Sequence, residues 1–190
     1  MTSSIITKKR IAKAFKSVLK DKDFEKVSVT DIMQEAQMRR QTFYSHFLDK
    51  YELLEWIFKT ELQEQIIDNL NYISGIGLLH EIFYFFDQNR TFYKALFAVQ
   101  TQNDFLSYFQ DYCLQLVVKI VAEHSQEHAF QLPQAEKNFF FHYHAAALAQ
   151  TIKSNLNDEG SDFFQLAQHT EDLLLSFLDY HSDLRRAAHG

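Results

Sequence analysis

The chain has 190 residues, 46% of them hydrophobic, with one cysteine, one proline, four glycines and a formal net charge of −6 at pH 7. A lone cysteine excludes an internal disulfide, no apolar run of about 18 residues offers a membrane span, and so little glycine and proline leaves scant turn chemistry for a sheet. A soluble, cytoplasmic, all-α protein of about nine helices is expected; the opening MTSSIITKKR has no apolar signal-peptide core.

The charge is unevenly spread. Residues 1–50 hold eleven Lys/Arg against six Asp/Glu, a balance of +5, and residues 51–190 hold eight against nineteen, a balance of −11. A basic head that meets phosphate, residues 1–50, and an acidic body, residues 51–190, are expected, with the chain passing between them inside a helix near Trp56.

The first helix is expected over Ser4–Leu19, with Ile6, Ile11, Ala14, Phe15, Val18 and Leu19 on one stripe and Lys8, Lys9, Lys13, Lys16 and Lys20 mostly off it. Phe24 and Val27 plug the core from the loop that follows. Ser28 with Asp31 reads as a capping box for a helix over Val29–Ala36, burying Val29, Ile32, Met33 and Ala36. Gln37 and Met38 turn the chain into a helix over Arg40–Phe47, whose Phe43 and Phe47 face inward one turn apart. Asp49 and Glu52 form a second box for a long helix over Lys50–Tyr72. Gly75 and Gly77 break the chain. Further helices are expected over Leu78–Gln88, Thr91–Ala98, Asp104–His124, from Pro133 to about Asn157, and over Asp162–Leu184 with Ser161 as cap and Gly160 as terminator of the one before.

Residues 27–54, VSVTDIMQEAQMRRQTFYSHFLDKYELL, carry the functional signal. A short helix, a tight turn and a second short helix form a helix-turn-helix. With Phe43 and Phe47 on the core, Arg40, Gln41 and Tyr44 point outward and Thr42 and His46 flank them. A helix of this size fits the major groove, where Arg, Gln and Thr pair with base edges. Arg39 precedes the helix and reaches for phosphate or guanine. Thr30 and Lys50, each at a helix start with free backbone N–H groups, suit phosphate. Phosphate contacts are expected to position the head and the second helix to discriminate bases.

Residues 5–54 resemble the DNA-binding head of the TetR family of bacterial transcriptional regulators. The resemblance rests on Ile11, Ala14 and Phe15, on Phe24, Val27, Val29, Asp31, Ile32 and Ala36, and on the pattern T-F-Y-x-H-F-x-x-K-x-x-L-L from Thr42 to Leu54. It implies a homodimer of all-helical subunits, each with a three-helix head and a helical body that dimerises through its last two long helices. It places Thr30, Arg40, Gln41, Thr42, Tyr44, His46 and Lys50 where family members touch DNA. Two positions depart from the pattern: Gln37 stands where the family usually has glycine, and Arg39 where it has a small capping residue. Gln37 is therefore expected in the left-handed region. The wording around Gln37–Tyr44 and the start S-I-I-T-K-K-x-I-A-K-A-F-K are also similar to a narrower subgroup, the regulators of dihydroxyacetone kinase operons in Gram-positive bacteria. In that subgroup a kinase-like partner protein senses the metabolite and the regulator can act as an activator.

In the body, the aromatic stretch Ile82–Phe97 and the rings of Phe105–Tyr112 fill a helical bundle or line an effector pocket. Tyr84, Tyr93, Phe109, Tyr112, His142 and His144 are the candidate pocket residues. His124 and His128 lie four apart, as metal ligands on a helix do, but the setting reads as a fraying helix end; no metal and no cofactor is expected. Ala145, Ala146, Ala147 and Ala149 are good helix formers or, on the preferred reading, suit close packing; with Phe139, Phe140, Tyr143 and Leu148 they form half of an expected dimer bundle, and Phe163, Leu166, Leu173, Leu174, Phe177 and Leu178 form the other half. No glycine-rich phosphate loop, nucleophile elbow or catalytic carboxylate–histidine spacing occurs, so an enzyme is not expected. The partners expected are double-stranded DNA, a second copy, and a small-molecule effector or kinase-like co-regulator, with no membrane. The alternative is a helical interaction module whose helix-turn-helix docks protein, which leaves the basic head unexplained.

Overall fold

The computed structural model of the chain describes residues 2–99, 105–128 and 132–189. Among these the helices are, in order, α1 (Thr2–Val18), α2 (Val29–Glu35), α3 (Arg40–Tyr44), α4 (Lys50–Gln65), α5 (Gly75–Gln88), α6 (Arg90–Ala98), α7 (Phe105–Glu127), α8 (Gln134–Asn155) and α9 (Phe163–His189), with single 3-10 turns at Phe24–Lys26 and Ile67–Asn69 and no strand. The helix start expected at Asp104 lies outside the described residues. No helix among the described residues is long and apolar enough to cross a membrane. Two compact units are present: Met1–Glu61 with Thr91–Val99, and Leu62–Arg90 with Gln100–Gly190.

In the first unit α1 packs on α2 and α2 on α3. Ile11, Ala14, Phe15 and Leu19 are buried as their spacing requires, but Ile6, expected on the same stripe, is 64% exposed. The α2 helix is about 10 Å long against about 25 Å for α1, too short to cover the first turns of α1. Phe24 meets Phe15 and Tyr51 with ring centroids at 6.1 and 5.2 Å. The segment Thr91–Val99 adds Phe92, edge-on to Phe15, and Tyr93, fully buried. There the Lys16 ammonium contacts both oxygens of Glu61, at 2.6 and 2.8 Å, and the Tyr93 hydroxyl donates to the same carboxylate at 2.7 Å. Burial lowers the Lys16 pKa against the pull of Glu61, and burial with the Glu61 charge raises that of Tyr93.

In the second unit α7 packs on α8, and α5 lies against both α7 and α9. Gly75 opens α5 directly on α7: a Cβ there would sit 2.7 Å from the Ile120 side chain and 3.0 Å from its backbone. Phe86 and Phe109 meet at 4.7 Å in the core. Arg90 donates to the carbonyls of Asp158 and Ser161 and to Asp87, holding the α8–α9 connection.

Several sequence-based boundaries are corrected. The α4 helix ends at Gln65 rather than Tyr72, because the Asn69 side chain takes the Glu64 and Gln65 carbonyls and the chain tightens into a 3-10 turn. Gly75 and Gly77 lie inside α5 instead of breaking the chain, since Ser74 caps it by accepting from the Gly77 N–H at 3.0 Å. Pro133 is the N-cap of α8, not its first residue. Asp162, not Ser161, caps α9, accepting from the N–H groups of Phe164 and Gln165; the Ser161 hydroxyl is turned to Asn155 and Asp158.

Candidate DNA-binding interface

The helix-turn-helix is held by its ends. Ser28 accepts from the Asp31 N–H at 3.2 Å while Asp31 accepts from the Ser28 N–H at 2.8 Å, so two donors at the start of α2 are satisfied reciprocally. At the other end Gln37 stands at φ 54°, among the described residues the one non-glycine with positive φ. Its N–H donates to the Gln34 carbonyl and the Met38 N–H to that of Met33, each at 3.0 Å. This pairing closes the helix and redirects the chain, a task usually left to glycine.

Regular α3 is shorter than expected, five residues instead of eight, because beyond Tyr44 the bonding mixes three- and four-residue spacings: His46 and Phe47 both donate to the Phe43 carbonyl. Phe43 and Phe47 are nonetheless 0% and 2% exposed, and Phe47 packs on Trp56 at 5.8 Å. Burying these rings leaves Arg39, Arg40, Gln41 and Tyr44 exposed on the other side, with Thr42 and His46 half-buried beside them. Arg39 is the N-cap of α3 and makes no side-chain capping bond, as its chemistry dictates. Arg40 donates to the Tyr44 hydroxyl at 3.0 Å, one turn along. Thr30 is exposed in the first turn of α2.

Lys50 departs from expectation. Its ammonium donates to the carbonyls of Phe24, Glu25 and Val27 at 2.8, 3.1 and 3.1 Å and lies 4.5 Å from the centre of the Phe24 ring. An ammonium has three N–H donors, and these three carbonyls account for them, so Lys50 ties the start of α4 to the loop before α2. The Lys8 ammonium is likewise drawn over the rings of Phe47 and Trp56.

Asp49 caps α4 as expected, but Glu52 reaches the Leu48 N–H instead of that of Asp49. Leu48 is 81% exposed, just past α3, an apolar group of the kind that contacts sugar or a thymine methyl. Its position just before a capping aspartate was the available signal, but that pattern ordinarily announces a buried staple.

The six candidate pocket residues differ in their surroundings. Tyr93 belongs to the first unit, its hydroxyl engaged by Glu61. Tyr84 is 62% exposed and Phe109 is sealed in the core. Tyr112 and His144 are half-buried and His142 is exposed. His144 lies against Phe140, and burial lowers its pKa. Spacing along a helix reports aromatic density and not direction; of the two alternatives, Phe109 follows the core-filling one. Cys113 is fully buried, and burial raises its thiol pKa, as befits an inert core residue.

Comparison with known proteins agrees with this geometry. The family described as "Bacterial regulatory proteins, tetR family" matches residues 11–57, and that described as "Transcriptional regulator C-terminal region" matches residues 77–176. The HTH-type dhaKLM operon transcriptional activator DhaS of Lactococcus lactis subsp. lactis (strain IL1403) is 34% identical over 176 residues, 93% of this chain and 92% of its own. The chain belongs to the TetR family. This TetR-type protein is a DNA-binding transcriptional regulator. The solved structure of the dihydroxyacetone kinase operon activator DhaS superposes on it with a TM-score of 0.84 at 32% identity, covering 93% of this chain and 98% of that one. A TetR transcriptional regulator from Streptococcus agalactiae 2603V shares the fold, with a TM-score of 0.62 at 21% identity over 93% and 95% of the two chains.

Proposed function

We propose that this TetR-type regulator binds a roughly palindromic operator as a homodimer and controls a dihydroxyacetone kinase operon. DNA contact falls to residues 1–50, and effector response and dimerisation to residues 51–190. The observation that carries the DNA reading is the exposed row Arg40, Gln41 and Tyr44 on α3, backed by buried Phe43 and Phe47. The operon assignment is supported by likeness to DhaS along 93% of the chain. Dimerisation is supported by large apolar groups left exposed on the last two helices: Phe139 and Tyr143 on α8, and Phe164, Leu173 and Tyr180 on α9, each at least 59% exposed. Two α3 helices then read successive major grooves about 34–36 Å apart. An effector, carried by a kinase-like partner or bound directly, acts by preferring one head spacing over another. The likeness to the DhaS activator favours the partner protein. Such a regulator works in the cytoplasm, where the DNA is.

A gel shift against DNA upstream of the chain's own gene tests the reading. A sharp shift that survives competitor DNA is expected, lost in Arg40→Ala and Tyr44→Ala while sedimentation still shows a dimer. Normal binding by both variants overturns the role of α3. A dimer untouched by Leu173→Glu moves the subunit contact elsewhere.

A further inference from the structure

One cluster in the second unit is unused by DNA binding. His124 and His128 sit one turn apart at the end of α7, and Asp179 reaches them from α9. One ligand atom from each residue lies within 4.8 Å of the other two. The helix does not fray before this pair, as its sequence suggested: α7 runs to Glu127, and His124 is only 5% exposed. His124 Nε2 is 2.8 Å from Asp179 Oδ1. Its Nδ1 is buried with no hydrogen-bond partner, which protein interiors seldom tolerate. The two imidazole rings lie 4.3 Å apart at 30°. The three residues share a cleft of about 330 Å³ with Glu127 and Ser74.

We propose that His124, His128 and Asp179 bind a divalent transition-metal ion of the zinc class, clamping α9 to α7. Two imidazoles and one carboxylate are a donor set suited to zinc rather than to magnesium or calcium. Ligand atoms around a tetrahedral zinc stand about 3.3–3.5 Å apart, from bonds of about 2.0–2.2 Å. Asp179 and His128 are at the surface, so rotating their side chains adjusts the present separations, opening the 2.8 Å contact of Asp179 with His124, without moving the helices. Glu123 is committed elsewhere, to the Gly75 N–H and to Lys119. Exposed Glu127 or a water completes the coordination.

Calorimetric titration of the untagged full chain with zinc chloride tests this. One saturable zinc per chain is expected. His128→Ala and Asp179→Ala, both surface changes, are expected to weaken binding at least about 30-fold, and His169→Ala, also exposed, to leave it unchanged. In the unsubstituted chain, imidazole nitrogen resonances of His124 and His128 should shift with zinc, whatever becomes of the variants. Absence of saturable binding, binding retained by the double variant His128→Ala/Asp179→Ala, or zinc-induced shifts confined to other histidines overturns the proposal.

Discussion

Lys50 donates to the Phe24 carbonyl at 2.8 Å across 26 positions of sequence. With its bonds to Glu25 and Val27, this one ammonium ties the loop before α2 to the start of α4. Hydrogen bonds from a charged donor contribute more than neutral ones, and carbonyls left behind at a part-buried site lose their partner. Lys50→Met is therefore expected to lower stability by about 1–3 kcal/mol in urea unfolding. Well below the melting temperature, the slope of operator affinity against salt should stay unchanged. A slope smaller by about one would restore Lys50 to the phosphate contacts.

Gln37 occupies the left-handed region that closes α2. A side chain there costs energy that glycine avoids, although glycine gives back part of the gain as flexibility of the unfolded chain. Gln37→Gly should stabilise the protein by about 0.5–1 kcal/mol, with operator affinity retained. A loss of stability on denaturant titration would mean the Gln37 side chain makes a compensating contact.

Asp31 gives a pH signature. The Lys22 ammonium, then the Ser28 hydroxyl and backbone N–H, hold its carboxyl well below the usual carboxylate range. A depressed folded pKa adds stability above the unfolded value, and that stability is lost as pH falls toward the folded value. The stability gap between the native chain and Asp31→Asn should thus be constant from neutral pH down to about 4.5 and narrow below about pH 4, near the ordinary aspartate value. A gap that stays level or widens in acid contradicts the assignment.

Gly75 tests the contact of α5 with α7. A methyl group there meets the Ile120 backbone at 3.0 Å, and backbone cannot swing aside as a side chain can. Gly75→Ala should cost about 1–3 kcal/mol. Gly160→Ala, whose nearest contact is the Asp158 side chain at 3.4 Å, should stay within about 0.5 kcal/mol. Equal effects of the two changes would remove the close approach as the reason for glycine at position 75.

Much of the DNA-binding head was legible because its information is local. The Ser28–Asp31 box, the inward pair Phe43 and Phe47 and the outward Arg40, Gln41 and Tyr44 all follow from spacings of three and four within one short segment. The left-handed Gln37 at the turn was readable from the resemblance, which usually places glycine there. The bonds of Lys50 to the carbonyls of Phe24, Glu25 and Val27 were not legible, because a lysine at a helix start looks the same whatever its ammonium meets 23 to 26 residues upstream. The body yielded less. Leu174, expected in the dimer bundle, and Phe109, expected at a pocket or in the core, are both buried, and periodicity was silent on Tyr93 joining Lys16 and Glu61 and on the cleft that brings Asp179 to His124. Helical pattern sets which side of a rod is apolar; which other rod arrives there, and at what height, depends on packing between segments distant in sequence, and only the tertiary structure decides that.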